Sequence, residues 1–179
     1  LLIFFFIISN KVLSIDIIII ASINNKSITN YDLFLEQEAN QILDGNNQQF
    51  NKNYYLQKII NDRIKLLELK EISNNSKNLA TSEVNQFSKK SKSDIPKEIK
   101  NYIINKIALQ IEWNEYITKK YGRKLEINLS EIEYISKSKN LSESEVKKLI
   151  DLEKRKKLNI ISTTHFNEIK KKYLINFYK

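Results

Sequence analysis

Apolar residues follow two different periods along this chain. From residue 15 to 23 they are nearly continuous and β-branched, broken only by Asp16, Ala21 and Ser22, which predicts a buried strand. Asn24-Asn25 is a turn pair that tolerates positive φ, and Ser27-Ile28 reads as a short return strand. Thr29 is placed as an N-cap, with Asp32 at the third helical position in a variant of the capping box. From Asn30 onward the period becomes helical.

The first helix is predicted over 30–43, with Leu35, Ala39, Ile42 and Leu43 as its apolar stripe and Gly45 as its cap. After a polar loop, a second spans 54–72 on Leu56, Ile59, Ile60, Ile64 and Leu67; Leu66 and Leu69 widen its apolar face. Residues 73–76 form a linker, and a short helix is expected over 81–91. Pro96 opens a long helix that carries Ile99, Tyr102, Ile103, Ile107, Ile111, Trp113, Tyr116 and Ile117 and closes at Gly122. Two Ser-x-x-Glu boxes, at Ser130 and Ser142, predict helices over 131–138 and 143–161. Thr163 or Thr164 is read as restarting a helix through Tyr173.

An isolated hairpin is not stable in water, so the N-terminal one needs a cover. The best further strand is at the other end of the chain, over 174–178. The fold class expected is therefore mainly α: about six helices plus a small β-sheet formed by the N-terminal hairpin and the C-terminal strand. Two glycines and one proline agree with long helices rather than a many-stranded sandwich.

Composition narrows the chemistry. With no cysteine, disulfides, thiol nucleophiles and cysteine metal sites are excluded. Leu1 to Ile8 is an unbroken apolar run, too short to span a bilayer, and Val12 and Ser14 suit the positions before a signal-peptidase cut. Residues 1–14 are read as a signal peptide whose own start is missing; a buried N-terminal strand is the alternative. The net charge of +9 comes from lysines spread over every helix and interleaved with glutamates, a solvated surface rather than a nucleic-acid stripe.

His165 is the only histidine, and with no second one it makes no ordinary zinc site. It is expected at the surface or in a cap. Gly45 and Gly122 stand too far apart for a phosphate loop. Carboxylates cluster at helix starts, where the helix dipole accounts for them. Catalysis is not expected, and neither is a cofactor. Phe87, Tyr102, Trp113 and Tyr116 are the candidates for lining an apolar groove; each fits a core position equally well.

Several of these landmarks, in this order, resemble one family. Ile18 to Asp32 resembles the opening of mature SurA-type periplasmic chaperones. Leu56-x-x-Ile-Ile-x-x-Arg-Ile-x-Leu-Leu-Glu-Leu is similar to its second helix, and Thr81-Ser82-Glu83-Val84-Asn85 to the start of the next. Ile107 to Trp113, ending in Lys120-Tyr121-Gly122, resembles its long tryptophan-bearing helix, and Leu129 to Ile132 the segment that follows. Arg155-Lys156-Lys157-Leu158 and His165 to Phe177 resemble the closing helix and strand. Between Ile132 and that closing helix the family usually inserts one or two parvulin-type prolyl isomerase domains, and the roughly twenty residues here leave no room for one.

The resemblance implies an N-terminal chaperone domain over 15–138, and a C-terminal helix and strand over 139–179 packing back on it. It implies an ATP-independent periplasmic holdase for unfolded outer-membrane proteins, with the outer-membrane assembly machinery as a further partner and no nucleic acid. The alternatives are an isomerase-related folding factor, a basic helical nucleic-acid binder, or a structural partner in the envelope.

Overall fold

The β-branched run forms the centre of a small sheet. The computed structural model describes residues 16–44, 50–72 and 95–178; the leader at 1–14, Gly45, the linker at 73–76 and the expected helix at 81–91, with Phe87, lie outside the described residues. Strand β1 (Ile19–Ile23) pairs antiparallel with β2 (Lys26–Thr29) and, on its other edge, with β3 (Ile175–Phe177). The sheet order is β2-β1-β3, so the two chain ends share one sheet, as expected. Asn24 fixes both junctions. Its φ of 50° lies in the left-handed region, which asparagine enters readily. Its N–H donates to the Leu174 carbonyl at 2.8 Å, and its side-chain oxygen accepts from the Leu174 N–H at 3.1 Å.

β1 is shorter than the apolar run, and Ile17 and Ile18 ahead of it are exposed. The described helices are α1 (Asn30–Asp44), α2 (Lys52–Ile72), α3 (Lys97–Tyr121), α4 (Leu129–Lys139) and α5 (Glu143–Lys170). The fold is thus mainly α with a three-stranded antiparallel sheet. Ala21, Ile23 and Ile28 from the sheet join Ile59, Ile60 and Ile64 of α2, Trp113 and Ile117 of α3, and Ile169 of α5 in the main core. Helices α1, α2 and α3 pack pairwise, α5 packs on α2 and α3, and α4 on α5. Among the described residues no helix is long and apolar enough to cross a membrane.

Local signals explain most helix ends. At α1 the Asp32 carboxylate accepts from the Thr29 N–H at 2.8 Å, while the Asp32 N–H donates to Thr29 Oγ1 at 3.2 Å, a reciprocal box. At α5 Glu145 accepts from the Ser142 N–H at 2.8 Å. Four expectations are corrected. Helix α4 starts two residues early, because Asn128 rather than Ser130 accepts the orphan N–H of Glu131, at 3.2 Å. Gly122 follows α3 in right-handed geometry, with φ −58°, and leads into a 3₁₀ turn, so its left-handed freedom is not used.

No break occurs near Thr163. Its hydroxyl donates to the Asn159 carbonyl one turn back at 2.9 Å, and α5 runs on to Lys170. On α1 the buried face is Leu33, Glu36, Ala39 and Asn40, whereas Ile42 and Leu43 are exposed. The register of that face follows a carboxylate that apolar counting skips.

Candidate functional site

Three helices leave a cleft of about 410 Å³ between them. Its apolar wall is Ile59 and Leu66 from α2 with Ala108 and Leu109 from α3. Polar groups share the lining: Asp32 of α1, Asp62 and Arg63 of α2, and Tyr102, Asn105, Lys106 and Glu112 of α3. Tyr102, Lys106 and Leu109 fall at i, i+4 and i+7, so one face of α3 presents both characters.

Behind the cleft is an ionic nest. Glu36 is fully buried and would be costly there without partners. It accepts from Tyr102 Oη at 2.9 Å and takes both of its oxygens to Lys106 Nζ, at 2.8 and 2.9 Å. Lys106 also donates to Asp62 at 2.7 Å. Burial lowers the Lys106 pKa, but Asp62 and Glu36 outweigh it and hold the ammonium above its ordinary value. The Tyr102 phenol is pushed well up, first by burial and then by Glu36, so it stays a donor. Arg63 completes the set by donating to Asp32 at 3.0 Å.

A second nest lies where α2, α3 and α5 meet. His165 is buried, which overturns its expected surface position. Its ring stacks on Trp113, with centroids 5.9 Å apart and planes 18° from parallel. Tyr116 Oη lies 3.0 Å from Nε2 and Tyr121 Oη 3.1 Å from Nδ1. Lys120 donates to Tyr116 Oη at 2.7 Å, so all three contacts are satisfied when Tyr116 donates to Nε2 and Nδ1–H donates to Tyr121. Burial, then Lys120, lowers the His165 pKa and keeps the ring neutral. Glu68 approaches Nε2 at 4.0 Å, but its other oxygen, like the Tyr173 hydroxyl, is buried with no hydrogen-bond partner among the described residues.

The four sequence candidates separate. Tyr102 lines the cleft. Trp113 is 1% exposed, in the core, with its indole N–H donating to Ser162 Oγ at 2.8 Å. Tyr116 belongs to the histidine nest, and Phe87 lies outside the described residues. Glu36, Lys106, Glu68 and His165 were missed as site residues. Their signal is positional: Glu36 is three residues from Leu33 and Ala39, Glu68 extends Ile60 and Ile64 by one turn, and His165 precedes Ile169 by four. A charged or polar residue in register with an apolar stripe is the mark of a buried network.

The two cations that line the cleft are paired with carboxylates, Arg63 with Asp32 and Lys106 with Asp62 and Glu36. Among the described residues no three His, Cys, Asp or Glu side chains are grouped to hold a metal ion. No protein-family model matches this chain, and a comparison with curated proteins gives no match.

Proposed function

We propose that the chain is an ATP-independent periplasmic holdase of the SurA type, without a parvulin domain, that binds unfolded outer-membrane proteins on their way to assembly. The observation that carries this reading is the open cleft between α1, α2 and α3, whose apolar wall and charged rim lie side by side. Unfolded barrel strands alternate apolar and polar residues, so a binding surface for them needs both characters within a few ångströms. It also needs apolar groups that water can reach. Phe34, Phe50, Tyr54, Leu174 and Phe177 are all exposed.

The sheet that joins both chain ends supports the same reading, because the resemblance implies a chaperone core made from the N- and C-terminal pieces. Residues 1–14 act in this reading as the export signal. The chain holds its clients without catalysing a reaction on them.

Light scattering of a denatured outer-membrane barrel protein, diluted with and without the chain, tests this. Suppression of aggregation at near-stoichiometric amounts and without ATP is expected. No suppression at a large excess overturns the reading.

A further inference from the structure

The charges that line the cleft do not balance. Three carboxylates, Asp32, Asp62 and Glu112, stand against two cations, Arg63 and Lys106. Both cations are engaged: Arg63 with Asp32, and Lys106 with Asp62 and the buried Glu36. The Glu112 side chain has no hydrogen bond or ion pair among the described residues. It stands one turn along α3 from Ala108 and Leu109, which belong to the apolar wall of the same cleft, with Leu66 facing from α2. Burial, and then its neighbour Glu115, raises the Glu112 pKa. Both effects mark a carboxylate that a nearby cation would relieve.

This negative end is local. The whole chain carries +9, so a basic partner is repelled by most of the surface and attracted here. The volume of about 410 Å³ falls in the range of small-ligand sites and accommodates a few side chains. A cation alone would leave the apolar wall in contact with water, and an apolar segment alone would bury Glu112 unpaired. One occupant answers both needs.

We propose that the cleft binds an extended peptide segment in which a lysine or arginine stands beside apolar residues, with Glu112 receiving the cation and Leu66, Ala108 and Leu109 the apolar neighbours. The inference rests on the holdase reading for the source of such segments, not for the site itself. It adds a selection rule: among unfolded stretches of equal apolarity, those with a basic residue are held in preference to those with an acidic one.

The test uses the full chain and two fluorescently labelled ten-residue peptides. Both alternate leucine with serine and differ at one central position, arginine or glutamate. By fluorescence anisotropy the arginine peptide is expected to bind about tenfold more tightly, the scale of one charge-assisted hydrogen-bonded pair. Glu112→Gln is expected to bring the two affinities within about twofold, and Glu112→Lys to reverse the preference. Helical circular dichroism should be unchanged in both variants, because the Glu112 side chain has no hydrogen bond or ion pair among the described residues. Equal binding of the two peptides, no binding of either, or a preference that survives Glu112→Lys overturns the proposal. Suppressed barrel-protein aggregation with no arginine preference leaves the holdase reading standing and removes the cleft assignment. An arginine preference that depends on Glu112, with no suppression, does the reverse.

Discussion

The two buried polar nests share α2 and α3, are completed by α1 in one case and α5 in the other, and are held in opposite ways. Around Glu36, each charge faces a compensating charge or donor, with contacts of 2.7 to 2.9 Å. Around His165, the groups are aromatic and largely neutral, and Glu68 Oε2 and Tyr173 Oη have no hydrogen-bond partner among the described residues. The first nest depends on electrostatic pairing and has little tolerance for losing a member. Packing of large rings holds the second, which should tolerate polar trimming and resist loss of volume. Their places in the fold also differ: the ionic nest forms the back of the open cleft, whereas the aromatic nest closes the core where α5 meets α2 and α3.

The contrast should be sharpest in Trp113→Ala, which removes the ring that His165 stacks on and leaves a cavity in the main core. A loss of about 3–5 kcal/mol is expected by urea unfolding, the range for deleting a buried aromatic side chain. Lys106→Met should cost about 3 kcal/mol by leaving the Glu36 carboxylate buried with only Tyr102 to serve it. Adding Glu36→Gln to that variant should recover a large part of the loss. If Lys106→Met is neutral, the ionic nest is not what holds α1 to α3.

Two Tyr→Phe changes compare the nests directly. Tyr102→Phe removes a donor to a carboxylate and should destabilise by about 2 kcal/mol. Tyr173→Phe removes a buried hydroxyl that has no partner among the described residues, and should raise stability by about 1 kcal/mol. Shifts of the same sign in the two variants would sink the distinction.

The smallest expected effect is a pH dependence. His165 has a folded-state pKa below its ordinary 6.5, chiefly because it is buried. The unfolded chain therefore takes up the proton more readily. The contribution of the neutral ring is complete above about pH 6.5 and declines as pH falls below it, with a slope of at most about 1.4 kcal/mol per pH unit. Urea midpoints at pH 7.5 and 5.5 should differ in the parent, and by less in His165→Phe. Glu68 favours the protonated ring and Lys120 disfavours it, so the Glu68→Gln variant should deepen the decline.

Much of the fold was legible because its signals are local. The Thr29–Asp32 and Ser142–Glu145 boxes each satisfy backbone groups within a few residues, and the β-branched run and the positive-φ Asn24 turn set β1 against the adjacent β2, so sequence spacing is sufficient to place them. The misplaced ends are those where two local signals compete. Asn128 outcompetes Ser130 as a cap, and Thr163 turns its hydroxyl back into α5 instead of opening a new helix. The candidate site was far less legible. Tyr102 was singled out for its ring and proves important for its hydroxyl, while the carboxylate it serves lies 66 positions earlier.

By itself, the sequence determined the mainly helical class and the hairpin, and it marked the final strand as a partner for the first. These follow from periodicity and from caps that act over one turn of helix or one pair of strands. Tertiary structure decided which polar residues are buried. Glu36 meets Lys106 across 70 positions, and Tyr116 meets His165 across 49. The free energy of a buried charge is set by what surrounds it in space. Register with an apolar stripe puts Glu36 on the buried face of its helix, but nothing local tells which cation, 70 positions away, meets it there.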